Sequence, residues 1–192
     1  MKNLFRIFIG LFIASSLSSC GYNSMVQKRE AVNSAWSNVE SAYQRRADLV
    51  PNLVNTVKGA ANFEQSTLTA VVEARANATS IKIDPNDLNE ENIAKFQAAQ
   101  DALKGSLSRL LATVENYPDL KATQNFQELQ AQLEGTENRI NTERNRFNET
   151  VQDYNSYIAM FPQVFIARMF GFAPKAYFKA AAGSEKAPEV KF

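Results

Sequence analysis

The sequence predicts an all-α protein, an antiparallel four-helix bundle of long helices, and three observations carry that expectation. From Tyr22 onward glycine and proline are scarce, and the chain is rich in alanine, glutamine, glutamate and asparagine. No sustained alternation of period two marks a strand. Apolar residues instead recur at spacings of three and four, which gathers them on one helix face.

Each element follows from that spacing. The first helix carries Met25, Val32, Trp36, Val39, Tyr43, Val50, Leu53 and Val57 on one seam, with Arg29 and Arg46 falling on the same seam. Gly59, followed by Ala60, Ala61 and Asn62, is a natural break, after which Leu68, Val71 and Ala78 continue a second helix to about Ser80. Ile81 to Asn89, with Asp84-Pro85-Asn86-Asp87, reads as a loop. Asn89 caps a third helix whose seam is Ile93, Phe96, Gln100, Leu103, Leu107, Leu110, Val114 and Tyr117, and Pro118 ends it. The next helix restarts at or just after Pro118, because a missing N–H has no partner in a first turn anyway. Its seam runs Phe126, Leu129, Leu133, Thr136, Ile140, Arg144, Phe147, Val151, Tyr154, Ile158, Phe161. Pro162 stops it, a short apolar helical segment follows, and residues 181–192 read as a flexible tail.

Length argues for a break in the first half. At ~1.5 Å per residue an unbroken helix from Tyr22 to Thr79 would run about 87 Å, against about 40 and 64 Å for the later two. A first helix kinked or broken near Pro51 or Gly59 lets four helices share one core; a continuous one is the alternative.

Composition narrows the chemistry. With 45% apolar and 21% charged residues the chain is foldable. One cysteine excludes an internal disulfide, and the lack of any histidine removes histidine bases and Ser-His or Cys-His pairs. No glycine-rich phosphate loop, nucleophile elbow or metal-ligand spacing occurs, so neither a catalytic residue nor a cofactor or metal is expected.

The amino terminus has its own pattern. Lys2 and Arg6 precede an apolar run from Ile7 to Ala14 and then small residues up to Cys20. Residues 1–19 read as a cleaved secretory signal, too short in its apolar part to span a bilayer securely. Leu17-Ser18-Ser19-Cys20 looks like a bacterial lipobox, which makes Cys20 the attachment point for acyl chains. Each buried methylene contributes ~0.8 kcal/mol, so two or more chains hold a protein where one would not. The mature domain is then 20–180. Without Lys2 and Arg6, 19 of the 21 basic residues remain against 20 acidic ones, mixed along the chain, and nucleic acid is not an expected partner.

Arg45-Arg46-Ala47-Asp48-Leu49-Val50-Pro51-Asn52-Leu53-Val54, followed by Val57-Lys58-Gly59, resembles the LemA family of bacterial envelope proteins. Tyr117-Pro118-Asp119-Leu120-Lys121-Ala122, Thr136-Glu137-Asn138-Arg139-Ile140, Arg144, Asn148, Val151, Tyr154-Asn155, Phe161-Pro162 and Gly171-Phe172 extend the likeness, as do Tyr22-Asn23, Trp36 and Ala74-Arg75. The resemblance implies an all-helical domain held at a membrane, and it supplies no catalytic residue. Its members commonly begin with an uncleaved transmembrane helix, so the lipoprotein-type start is a departure. Phe63 and Phe147 stand where relatives often carry histidine and tyrosine.

Candidate site residues follow. Pro51 cannot donate to the carbonyl of Ala47, a defect of ~3 kcal/mol in an ordinary helix interior. A kink there, with Asn52 or water satisfying the freed carbonyl, would make room for Arg46. If the helix leaving Tyr22 and the helix returning to Phe161 start level, Arg46 faces Glu137, with Glu134, Glu143 and Asp48 as fallback partners. Arg46, Asp48, Pro51, Asn52, Glu137 and Arg139 thus form an expected polar layer or binding site. Phe165, Met169 and Phe172 are expected either to cap the end of the bundle or to meet lipid or a protein partner. Three functions compete: a membrane-tethered interaction protein or self-associating scaffold on the outer membrane or elsewhere in the envelope; a lipid or small-ligand carrier with Trp36, Tyr43, Phe126 and Phe147 around a cavity; and, last, an enzyme.

Overall fold

The computed structural model describes residues 2–59 and 63–179, with side chains from Gly21 onward. Every regular element among them is helical: α1 (Lys2–Lys58), α2 (Gln65–Ser80), a 3-10 turn (Pro85–Asp87), α3 (Glu90–Val114), α4 (Pro118–Lys121), α5 (Gln124–Ala159) and α6 (Gln163–Phe170). The backbone of α1 is helical from Lys2, upstream of the expected start near Tyr22. Ala60 to Asn62, the side chain of Cys20 and the tail 181–192 lie outside the described residues.

Local chemistry explains the boundaries. The helix runs unbroken through Pro51 and ends at Lys58, with Gly59 in a turn. Asn89 Oδ1 accepts from the Asn92 N–H at 2.9 Å and caps α3. The stretch after Pro118 is two helices rather than one. Thr123 bonds back to the Leu120 carbonyl through both its N–H (3.0 Å) and its hydroxyl (2.7 Å), which closes α4 after one turn and leaves extended Thr123 to start α5. α5 ends at Ala159, so Phe161 leaves the seam and is 81% exposed. Gly171, at φ 72°, terminates α6 in the left-handed conformation; the Phe172 N–H then reaches Ala167 O at 2.9 Å and turns the chain back along the helices.

α1 packs along α5, and α2 along α3. Lys28 meets Asp153 at 2.5 Å and Arg46 meets Glu137 at 2.6 Å, so residue numbers rising along α1 face residue numbers falling along α5. All eight seam residues predicted for α3 are buried or half-buried. In α5 the expected seam member Arg144 is only half-buried and its neighbour Glu143 takes the core position, because a seven-residue seam can be continued at either the third or the fourth residue.

The core divides in two. One cluster joins Met25, Val32, Trp36, Val39 and Tyr43 of α1 to Phe96, Phe147 and Tyr154, with Phe172, Ala176 and Phe178 from beyond α6. The other joins Leu49, Val50, Leu53, Val54 and Val57 to Leu68, Val71 and Ala78 of α2, Leu103 to Val114 of α3, and Phe126 and Leu133 of α5. α2 supplies apolar side chains to the second cluster alone. Beside the first, its place is taken by Ile83 and Leu88 and by the extended segment 172–179.

Candidate functional site

Arg46 sits between the two clusters, 2% exposed. Its seam position on α1 forces a long cation into the core, and the neighbouring helices meet it with oxygen. Nη1 donates to Glu137 Oε1 at 2.6 Å, and Nη2 donates to the backbone carbonyl of Gln100 at 2.9 Å and to its Oε1 at 2.8 Å. Gln100 Nε2 in turn donates to Ala78 O at 3.1 Å, one of the carbonyls that the end of α2 leaves without a helical partner. Lys104 Nζ lies 3.2 Å from the second Glu137 oxygen, and the Tyr43 ring lies 5.1 Å from the guanidinium carbon. One chain of hydrogen bonds therefore ties α5, α1, α3 and α2 together at a single level.

The electrostatics suit that arrangement. Burial acts to raise the Glu137 carboxyl, but hydrogen bonding and charge from Arg46 and Lys104 outweigh it and hold the group below the usual carboxylate range. Glu137 stays ionised and Arg46 stays paired.

The other predicted members lie elsewhere. Asp48 is exposed and accepts from Gln44 Nε2 at 2.7 Å. Arg139 is exposed, its Nε 3.5 Å from Glu143, which Arg146 also approaches at 3.4 Å. Pro51 and Asn52 face solvent. Asn52 does not repair the carbonyl that Pro51 leaves open. Arg75 of α2 does, its Nε donating to Ala47 O at 2.7 Å. Proline and arginine thereby form one device: the missing N–H at position 51 frees an acceptor, and the arginine uses it to dock α2 on α1.

An open groove of about 860 Å³ runs beside this level, lined by Glu40, Tyr43, Gln44, Arg45, Asp48 and Lys82 among others. Burial raises the Glu40 carboxyl there, with Trp36 and Lys82 acting against it. The four aromatics expected around a ligand cavity do not share one: Trp36 and Phe147 are packed in the first cluster, Phe126 in the second, and only Tyr43 reaches the groove.

The segment 172–179, extended rather than helical, is held to the helices by a dense set of hydrogen bonds. Asn155 pairs with the backbone of Lys175 through Nδ2 to O (2.8 Å) and N to Oδ1 (2.9 Å), and Asn148 does the same for Phe178 at 3.1 and 2.9 Å. Tyr154 donates its hydroxyl to Ala173 O at 3.0 Å, and Ala176 N donates to Leu88 O at 2.9 Å. Lys175 Nζ reaches the carbonyls of Pro85 and Asn86, and burial, with Arg29 nearby, pushes its ammonium below the usual lysine range. Phe178 is thereby placed face to face with Trp36, ring centres 5.9 Å apart and planes 17° apart. The visible signal was two asparagines seven residues apart on one face of α5.

Of the three apolar residues expected at the end, Phe172 is buried beneath Tyr22, while Phe165 and Met169 are 61% and 74% exposed. Only the first therefore sits in the core at this end, and the other two stand out of it.

Known proteins agree with the motifs. A magnetosome protein, MamQ 2, of Paramagnetospirillum magneticum is 28% identical over 88% of this chain and 67% of its own length. MamQ of Magnetospirillum gryphiswaldense is 27% identical over 82% of this chain and 64% of its own length. Protein LemA of Metamycoplasma hominis is 23% identical over 83% of this chain and 69% of its own length. None of these names denotes an enzyme, and the chain spans about two thirds of each relative. The description "LemA family" matches residues 35–192, which take in the Arg46 level, the Pro51–Arg75 device and the asparagine-bound segment, and the chain belongs to that family.

Proposed function

We propose that this protein is a non-enzymatic scaffold of the bacterial envelope, an antiparallel helical bundle moored to a membrane by acyl chains on Cys20 and offering its long helical faces to a protein partner or to a second copy. The observation that carries the reading is the state of the Arg46 level. Arg46, Glu137 and Gln100 bind one another and α2; Gln100 also lines the groove, but its amide is engaged by Arg46 and the Ala78 carbonyl, so none of the three is offered there as a free acid, base or oxyanion donor. A buried charge pair of this kind adds little net stability but fixes the register of the helices around it. The lipobox-like Leu17-Ser18-Ser19-Cys20 immediately before Gly21 supports the mooring, and the membrane surface facing the periplasm is where such an anchor would put the domain.

The test is mass spectrometry of the amino terminus with membrane fractionation. An acylated residue 20 as the first residue is expected, and Cys20→Ser should release the domain or leave it with its signal attached. A mature protein that keeps residues 1–19 with an unmodified thiol overturns the anchor. Turnover by the purified protein, abolished by a single carboxylate substitution, overturns the scaffold.

A further inference from the structure

The apolar residues that the core leaves out are concentrated at one end of the molecule. Met160, Phe161, Phe165, Met169 and Phe170 are each more than half exposed, and they belong to α6 and the residues just before it. Phe165 and Met169 are four apart on α6, and Phe161, just before the helix, packs edge-on against Phe165 with ring centres 6.0 Å apart, so the three form a single stripe. The opposite face of α6 is fixed: Ala167 is buried in the first cluster, and Ile166 Cδ1 lies 3.3 Å from where a Cβ on Gly21 would stand. Phe170 also packs edge-on against Tyr22 at 5.0 Å. The stripe therefore flanks the place where the chain leaves the domain toward residue 20.

Charge around the stripe is one-sided. From Tyr154 to Phe172 the one charged residue is Arg168, and residues 21–27 carry no charge at all. A surface meant for water at this end would need no such exclusion, and a carboxylate pressed against anionic lipid would be repelled. At eight residues α6 is too short to cross a bilayer. It has instead the exposed apolar face, with a cation beside it, of a helix that lies in the interface.

We propose that α6 rests on the bilayer, with Phe161, Phe165 and Met169 inserted at the boundary of headgroups and acyl chains and Arg168 among the phosphates. The inference rests on the reading that the chain is held to a membrane next to Gly21. It adds a second contact beside that tether, which would set the tilt of the bundle and the face it shows to a partner.

Tryptophan quenching in the full-length protein tests it. The native chain has one tryptophan, Trp36, wholly buried, so added tryptophans report on their own sites. Phe165→Trp and Met169→Trp, with Val72→Trp as an exposed control on α2, are reconstituted in vesicles of phosphatidylethanolamine and phosphatidylglycerol whose acyl chains carry bromine. The tryptophans at 165 and 169 should lose most of their emission relative to unbrominated vesicles, and the one at 72 should not. Quenching by aqueous iodide in place of bromine overturns the proposal. So does protection from both quenchers, which would mean that protein covers the stripe. The two readings separate cleanly: bromine quenching with an unmodified residue 20 rejects the acyl anchor and keeps α6 on lipid, while an acylated residue 20 with iodide quenching does the reverse.

Discussion

The half of the core nearer Gly21 is rich in aromatic rings and the half beyond Arg46 is mostly aliphatic, and the two are closed by different means. Beyond Arg46, α1, α2, α3 and α5 all contribute branched side chains, and with Leu120 of the one-turn α4 their seams interlock using helical residues alone. Toward Gly21, α2 has ended and the space it would fill is wider than leucine and valine can close. Trp36, Phe96 and Phe147 occupy it, and Phe178 arrives from the end of the described chain to complete the stack. Helix periodicity can build the aliphatic half alone; the aromatic half needs a non-helical segment held by side-chain amides.

That difference gives the largest expected effect. Phe178→Ala removes a ring that contacts Trp36, Phe96 and Phe147 and opens a cavity in a region with little capacity to collapse, so a loss of roughly 3–5 kcal/mol is expected in thermal or denaturant unfolding. A loss below about 1 kcal/mol would mean that the extended segment merely lies on the surface.

Next comes the level between the halves. Arg46→Met strips Glu137 and Gln100 of their strongest donor, although Glu137 keeps Lys104 and some water, so roughly 1–3 kcal/mol should be lost. The pH dependence has a definite sign. A carboxyl whose folded value lies below its unfolded value contributes stability that is complete above the unfolded value and disappears as pH falls through the folded one. The native protein should therefore lose stability on acidification below about pH 4.3 more steeply than Arg46→Met does. Equal acid profiles for the two would show that Arg46 does not hold Glu137 ionised.

A smaller effect separates bonding from burial in the aromatic half. Asn148→Ala leaves Phe178 its ring contacts but takes both partners from its backbone, at a cost of about 1–2 kcal/mol. If this variant matches Phe178→Ala, the amide bonds place the ring and the ring alone does not find its site.

How much of this was legible follows the same division. The seam of α3 and the facing of Arg46 and Glu137 are consequences of 1.5 Å per residue and a repeat near seven and can be counted from the chain, while the cap at Asn89 and the break at Gly59 follow from residue type. Gln100 was visible as a polar residue on an apolar seam, but its partner, the Ala78 carbonyl, is a backbone atom with no sequence signature. The binding of 172–179 to Asn148 and Asn155 is likewise backbone recognition at a distance, so periodicity is silent about it. Thr123 was hidden for another reason: one β-branched residue bonding to its own turn outcompeted helix continuation, a local choice that a smooth seam masks.

The smallest effect lies in the aliphatic half and tests whether Pro51 is a defect or a docking device. Ala47 is buried, and with proline four residues later its carbonyl has Arg75 as partner, so Arg75→Ala should destabilise by about 1 kcal/mol. Restoring the N–H with Pro51→Ala lets the helix satisfy that carbonyl itself. Pro51→Ala alone should then be neutral to stabilising, because position 51 faces solvent and no packing is lost. In that background Arg75→Ala should cost less than half of what it costs in the native chain. The coupling, measured as a double-mutant cycle in denaturant unfolding, is the decisive quantity. If the two substitutions add without coupling, Arg75 stabilises α2 by its aliphatic stem, and proline at position 51 owes nothing to the arginine across from it.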